Sequence, residues 1–234
     1  MPKVSPAVEV SPGVHVLTQA PRSGFGWNVV VVQLPAGGTL IYNPAWLDDD
    51  TFKRIDALGE PKVLCAPNNF HHLSLSKFRA RYPQAIAVAA SNALPRLAQQ
   101  GHAGLQPVEA VNALLPPGSQ WHHCEGVKTG EVWLSMPKQN GRALLVADAF
   151  FHFVEPLKGF AGWVLKRLKV WPGLRVSTTY QFLAVRSVPA YRAWVLGELA
   201  KISATTLAVS HGAALTAPDL SAQLVRAIET RWPD

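Results

Sequence analysis

The chain has 234 residues, 48% hydrophobic and 16% charged, with 8 tryptophans and a net charge of +7. That is enough apolar material for a substantial core in one large domain or two small ones. No apolar run reaches the length of a membrane-spanning helix, and the N-terminus lacks a signal-peptide core. The two cysteines, Cys65 and Cys124, form neither a close metal-type pair nor a disulfide framework, so a reducing, cytoplasmic setting is expected.

Residues 8–17 read as two short strands about the Ser11-Pro12-Gly13 turn. Trp27 to Leu34, with four consecutive valines, reads as a buried strand, and Thr39 to Tyr42 as its partner across Pro35-Ala36-Gly37-Gly38. Asp49 or Asp50 is expected to cap a helix that stops at Gly59. Lys62 to Ala66 is the next strand, followed by a loop carrying His71 and His72 and a helix over about Leu75 to Tyr82. Ala85 to Ala90 reads as a strand, and Ser91 as the cap of a helix ending near Gly101. This alternation argues for βα units.

Residues 104–130 look irregular. Glu131 to Met136 and Arg142 to Ala147 read as strands joined by Pro137-Lys138-Gln139-Asn140-Gly141. An aromatic and basic stretch runs from Asp148 to about residue 176. Pro189 opens a helix to about Lys201, Thr206 to Val209 is a strand, and Pro218-Asp219 opens a final helix to about Trp232.

The charge is uneven. From Pro156 to Gly197 there is no Asp or Glu, against Lys158, Lys166, Arg167, Lys169, Arg175, Arg186 and Arg192. Such a stretch either attracts an anionic partner or is a solvated basic face. Nucleic acid is not the expected partner, because the aromatic-plus-basic RNA-binding motifs are absent. Phe160, Trp163, Val164 and Arg167 fit an amphipathic surface helix, so residues 156–176 either touch an anionic membrane peripherally or form a lid over the chain's own core. Nothing in the sequence sets the oligomeric state.

Three strand ends carry residues that bind metals or transfer protons. His71 and His72 follow Val63 to Ala66, Asp148 follows Ala143 to Ala147, and His211 follows Leu207 to Ser210. Strand ends of this kind can converge on one edge of a sheet.

Together with the opening strands, Gly13-Val14-His15-Val16 and Asn28 to Leu34 with Leu40 to Asn43, these positions resemble the metallo-β-lactamase fold superfamily, in a divergent branch. The resemblance spans roughly residues 8–215. It implies a four-layer αβ/βα sandwich with two mixed sheets, as one domain over 1–234, with 150–180 as an aromatic, basic insertion or lid. The family's His-x-His-x-Asp-His run aligns its last His with His72 and its Asp with His71. Its first two histidines then fall on Pro67 and Asn69. Asp148 matches the bridging Asp, His211 the terminal His, and Val127 stands at the remaining ligand position, unless His122 or His123 compensates.

By this resemblance the first metal position is lost. His71, His72, Asp148 and His211 remain to hold one divalent metal, zinc first, with manganese or iron as alternatives. His71 is then a ligand, a general base beside bound water, or a structural partner of Asp148. Asp148 is either a ligand or the group that orients a neighbouring histidine. Asn69, Phe153, Trp163 and Arg167 are candidate substrate contacts. Two functions follow: a mononuclear metal-dependent hydrolase of an anionic ester, lactone, thioester or phosphoester, or an inactive scaffold that serves as a binding or structural protein.

Overall fold

The computed structural model of the chain describes residues 5–19, 26–45, 48–154, 159–167 and 173–233. β1 (Val8–Ser11) and β2 (Val14–Gln19) form the expected hairpin, and β3 (Trp27–Gln33) and β4 (Thr39–Tyr42) continue the antiparallel run. Val29 to Val32 are all buried, because β3 lies inside the sheet with apolar neighbours on both faces. Branched side chains fit such a pleated, covered surface. α1 (Asp49–Leu58) is capped by Asp48, whose carboxylate accepts from the Thr51 N–H at 2.9 Å. Asp49 and Asp50, the expected caps, instead sit in the first turn, where negative charge favours the helix dipole.

β5 (Pro61–Ala66), α2 (Leu75–Arg81), β6 (Ile86–Ala89), α3 (Leu94–Gln99) and β7 (Gln106–Pro107) alternate, and β4 to β7 run parallel. Ser91 does not cap α3. That helix begins later, with Pro95 in its first turn, where the missing N–H costs nothing. The stretch read as irregular contains a 3-10 turn over Val108–Leu114 and β8 (Gln120–His123). β9 (Val132–Lys138) and β10 (Gly141–Val146) pair Lys138 with Gly141, so the connection is only Gln139-Asn140. Such two-residue hairpins match the twist of their strands, and they draw Pro137, Lys138 and Gly141 out of the expected loop.

The 150–180 region holds β11 (Phe151–Phe153), α4 (Gly159–Arg167), β12 (Gly173–Arg175) and α5 (Thr178–Leu183), with β11 and β12 paired as a separate ribbon. Trp171, Lys158 and Lys169 lie outside the described residues, as does the side chain of Phe160. α6 (Val188–Lys201), β13 (Ala204–Val209), β14 (Leu215–Thr216) and α7 (Leu220–Arg231) complete the chain. No described helix is long and apolar enough to cross a membrane.

Two mixed sheets result. One has the order β1-β2-β3-β4-β5-β6-β7 and the other β14-β13-β10-β9-β8. The two-residue period of the second sheet divides its side chains between two cores. Val132, Leu134, Met136, Ala143, Leu145 and Ala208 face the first sheet, whose other face is covered by Phe52, Ile55, Leu75 and Phe78 of α1 and α2. Trp133, Leu144, Val146, Leu207 and Val209 face Val195 and Leu199 of α6 and Leu224 and Ile228 of α7. The architecture is therefore helix–sheet–sheet–helix, an α/β sandwich.

Candidate metal centre

Three of the strand-end residues meet. One ligand atom from each of His71, Asp148 and His211 lies within 4.8 Å of the others. His71 Nε2 is 2.9 Å and His211 Nε2 3.3 Å from Asp148 Oδ1. The orientation of each imidazole is fixed from behind. Asn43 donates its amide N–H to the Asn28 carbonyl at 2.7 Å, so its Oδ1 must face His71 Nδ1, also at 2.7 Å. An amide oxygen only accepts, so Nδ1 of His71 carries a hydrogen. Asp148 is likewise an acceptor, so in the metal-free chain His71 Nε2 carries one too, and the ring is an imidazolium. His211 Nδ1 faces the Gly26 carbonyl at 3.2 Å, which leaves its Nε2 toward Asp148.

The electrostatics agree with this reading. Burial pulls the His71 pKa down, but the Asp148 and Glu131 carboxylates outweigh it and hold the group above the usual imidazole value. Burial likewise opposes ionisation of Asp148, yet His71 and His211 hold its carboxyl far below the usual carboxylate range. Asn68 Nδ2 donates to Asp148 Oδ2 at 2.9 Å, while Asn68 Oδ1 accepts from the Phe70 and His71 N–H groups. This one side chain both shapes the turn and orients the carboxylate.

Local sequence explains the convergence. Asn43 is the single non-glycine residue with positive φ among those described, at 62°, a conformation asparagine tolerates. Asn28 donates to the Val209 and Gly212 carbonyls at 2.8 and 2.6 Å and so staples β3 to the turn that carries His211. Glu131 is fully buried. Its oxygens accept from Trp133 Nε1 and from the Asp148 and Ala149 N–H groups at 3.0, 3.3 and 3.1 Å. Burial and the nearby Asp148 carboxylate push its pKa up to about 7. The sequence reading missed Asn28, Asn43 and Glu131. The available signal was one polar residue at the edge of an otherwise apolar strand.

Several expected residues lie elsewhere. His72 is not in the cluster: its Nδ1 is 2.8 Å from His102 Nε2, because adjacent side chains diverge and His102 supplies a partner on the other side. Burial, then His102, His71 and Arg96, lower the His72 pKa. Neither His122 nor His123 compensates. His122 bridges Ser135 Oγ and Glu198 at 2.8 and 2.9 Å, and His123 pairs with Glu109. Pro67 gives its carbonyl to the Val132 N–H, and Val127 bridges to Val185 against the helix-side core.

A cavity of about 240 Å³ opens onto the triad. Its walls include Trp27, Pro44, Phe70, Leu73, Phe151 and Leu183. Asn69, Phe153, Trp163 and Arg167 are not among its described lining residues. Asn69 is held by its N–H on the Thr129 carbonyl, with its Oδ1 buried and unpartnered. Phe153 is two residues farther along β11 than Phe151, whose ring stacks on His211 at 5.3 Å and 9°. The Arg167 guanidinium lies over the ring of Trp163, 5.2 Å away.

No family model and no curated protein sequence matches the chain. Solved structures do. A metallo-β-lactamase from Pontibacter korlensis superposes with a TM-score of 0.65 at 12% identity, over 97% of this chain and 99% of its own. The metallo-β-lactamase FIM-1 from Pseudomonas aeruginosa, in a mono-zinc form, gives 0.64 at 13% over 100% and 98%. A metallo-β-lactamase from Erythrobacter litoralis gives 0.62 at 14% over 96% of each chain. Identity this low carries fold rather than activity. With its two mixed sheets between helices and this full-length likeness, the chain is a divergent example of the metallo-β-lactamase fold.

Proposed function

We propose that this chain is a metal-dependent hydrolase with a single divalent ion, zinc first, held by His71, Asp148 and His211. One observation carries the proposal. Two imidazole Nε2 atoms and a carboxylate oxygen converge, while each distal ring nitrogen is anchored to a carbonyl oxygen. Metal-ligating histidines are held in this way. The donor set also fits. Two nitrogens and one oxygen about 2.1 Å from a common centre stand about 3.4 Å apart in a tetrahedron, near the two nitrogen–oxygen spacings of 2.9 and 3.3 Å, and three protein ligands with one open position mark catalytic sites. When bound, such an ion polarises a carbonyl or phosphoryl oxygen and acidifies water.

The chain's own residues do the rest. Asn43 and the Gly26 carbonyl hold the two imidazoles in register, and Asn68 and Glu131 hold Asp148. The apolar walls lower the polarity around the floor, which strengthens the charge interactions there. The Nε2 proton of His71 must leave before that nitrogen can ligate, so metal affinity falls in acid. Esters, lactones, thioesters and phosphoesters all offer an oxygen for polarisation.

A second reading has its own support. Asp148 already accepts from Asn68 and His71, and a compensated network of this kind needs no ion. In that reading the chain is an inactive scaffold. Metal analysis of protein purified without a metal column separates the two. About one ion per chain, lost in folded His211→Ala, is the expected result. An absence of metal after exposure to zinc, manganese and iron leaves the scaffold reading.

A further inference from the structure

The walls and mouth of the cavity are more specific than its floor. Trp27, Pro44, Ala45, Phe151 and Ala184 form the wall above the triad, and Phe70, Leu73 and Leu183 form the rim. These three rim residues are 45%, 59% and 54% exposed. They account for three of the seven large apolar side chains that the described surface leaves in water, and Phe182, 69% exposed, adjoins Leu183. Apolar surface gathered at the mouth of an apolar pocket marks a binding groove more often than chance exposure. No described Lys or Arg lines the cavity. The basic side chains of the acid-free stretch are therefore not, among the described residues, an anion-binding wall.

We infer that the site takes carboxylic esters or thioesters of apolar acyl acids. The acyl chain lies between Phe151 and Leu183 and runs out over Leu73, with the carbonyl at His71, Asp148 and His211. The inference rests on the hydrolase reading. The cavity, at about 240 Å³, is smaller than the pockets of drug-sized ligands (about 300–1,000 Å³). A short acyl segment fills it, and the remainder covers the rim. In the reaction the acyl C–O or C–S bond breaks, the oxygen of water joins the acyl carbon, the released alcohol or thiol takes one of the water's protons, and the other passes to solvent. The product is the free carboxylate.

That product class supplies the test. Straight-chain carboxylates from butanoate to decanoate are titrated calorimetrically into the full chain, zinc-loaded and metal-free. Each methylene taken from water into apolar contact should tighten Kd about fourfold until the wall and rim are covered, after which the gain levels off. Leu73→Asp and Leu183→Asp, both at exposed positions that tolerate change, should flatten the dependence while zinc content and the circular dichroism spectrum are retained. A Kd independent of chain length overturns the inference, as does binding only to phospholipid vesicles with none to free carboxylates. Zinc uptake without chain-length dependence defeats the acyl assignment alone. Chain-length dependence in a protein that takes up no metal defeats the hydrolase reading and keeps the apolar pocket.

Discussion

At the scale of the residue, the centre is a buried imidazolium–carboxylate pair whose partners are each held by an amide. His71 lies between Asn43 Oδ1 and Asp148 Oδ1, and Asp148 accepts from Asn68 on its other oxygen. The folded His71 pKa is raised, so its contribution is complete below the unfolded value of about 6.5 and is lost as pH rises through the folded value. The folded Asp148 pKa is depressed, so its contribution is present above about 3.9 and is lost as pH falls toward the folded value. Both charges coexist between those limits. In metal-free protein, Asp148→Asn should therefore cost most near pH 5, about 3 kcal/mol as for other broken buried pairs. The cost should shrink toward pH 9, in the direction in which His71 loses its proton. Urea unfolding of both proteins at the two pH values checks this, and an equal cost at both would remove the imidazolium assignment.

At the scale of the element, the site depends on how strands end. The turn after β13 carries His211 and continues into Gly212, whose φ is 100°. A Cβ at Gly212 would overlap the His152 backbone carbonyl, in the segment that positions Phe151. Gly212→Ala is expected to separate β11 from this turn, move His211 off Asp148, and cost about 1–3 kcal/mol through backbone strain. Crystal structures of the variant and its melting temperature report both effects. An unchanged His211–Asp148 distance would show that the turn tolerates a side chain. α1 illustrates a simpler dependence: Asp48→Ala removes the acceptor for the Thr51 N–H and should lower stability by about 1 kcal/mol in chemical denaturation.

At the scale of the whole molecule, an ion held by the triad would tie the first sheet to the second, since His71 follows β5 while Asp148 and His211 follow β10 and β13. Zinc at a hundredfold excess over its Kd should raise unfolding free energy by about 2.7 kcal/mol. A shift in the melting curve that His211→Ala abolishes checks this, whereas no shift in the wild type favours the metal-free scaffold.

The βα alternation, most strand positions and the three strand-end residues are legible along the chain, because hydrophobic period and turn chemistry are local properties. Packing of distant segments sets the rest: His72 turns to His102, Phe151 rather than Phe153 lines the cavity, and Asn28, Asn43 and Glu131 support the triad. Asn28 bonds a carbonyl 184 positions away and His71 a carboxylate 77 positions away. Partners this distant leave no periodic trace along the chain, and the direction in which a loop side chain turns is set by what other strands bring beside it.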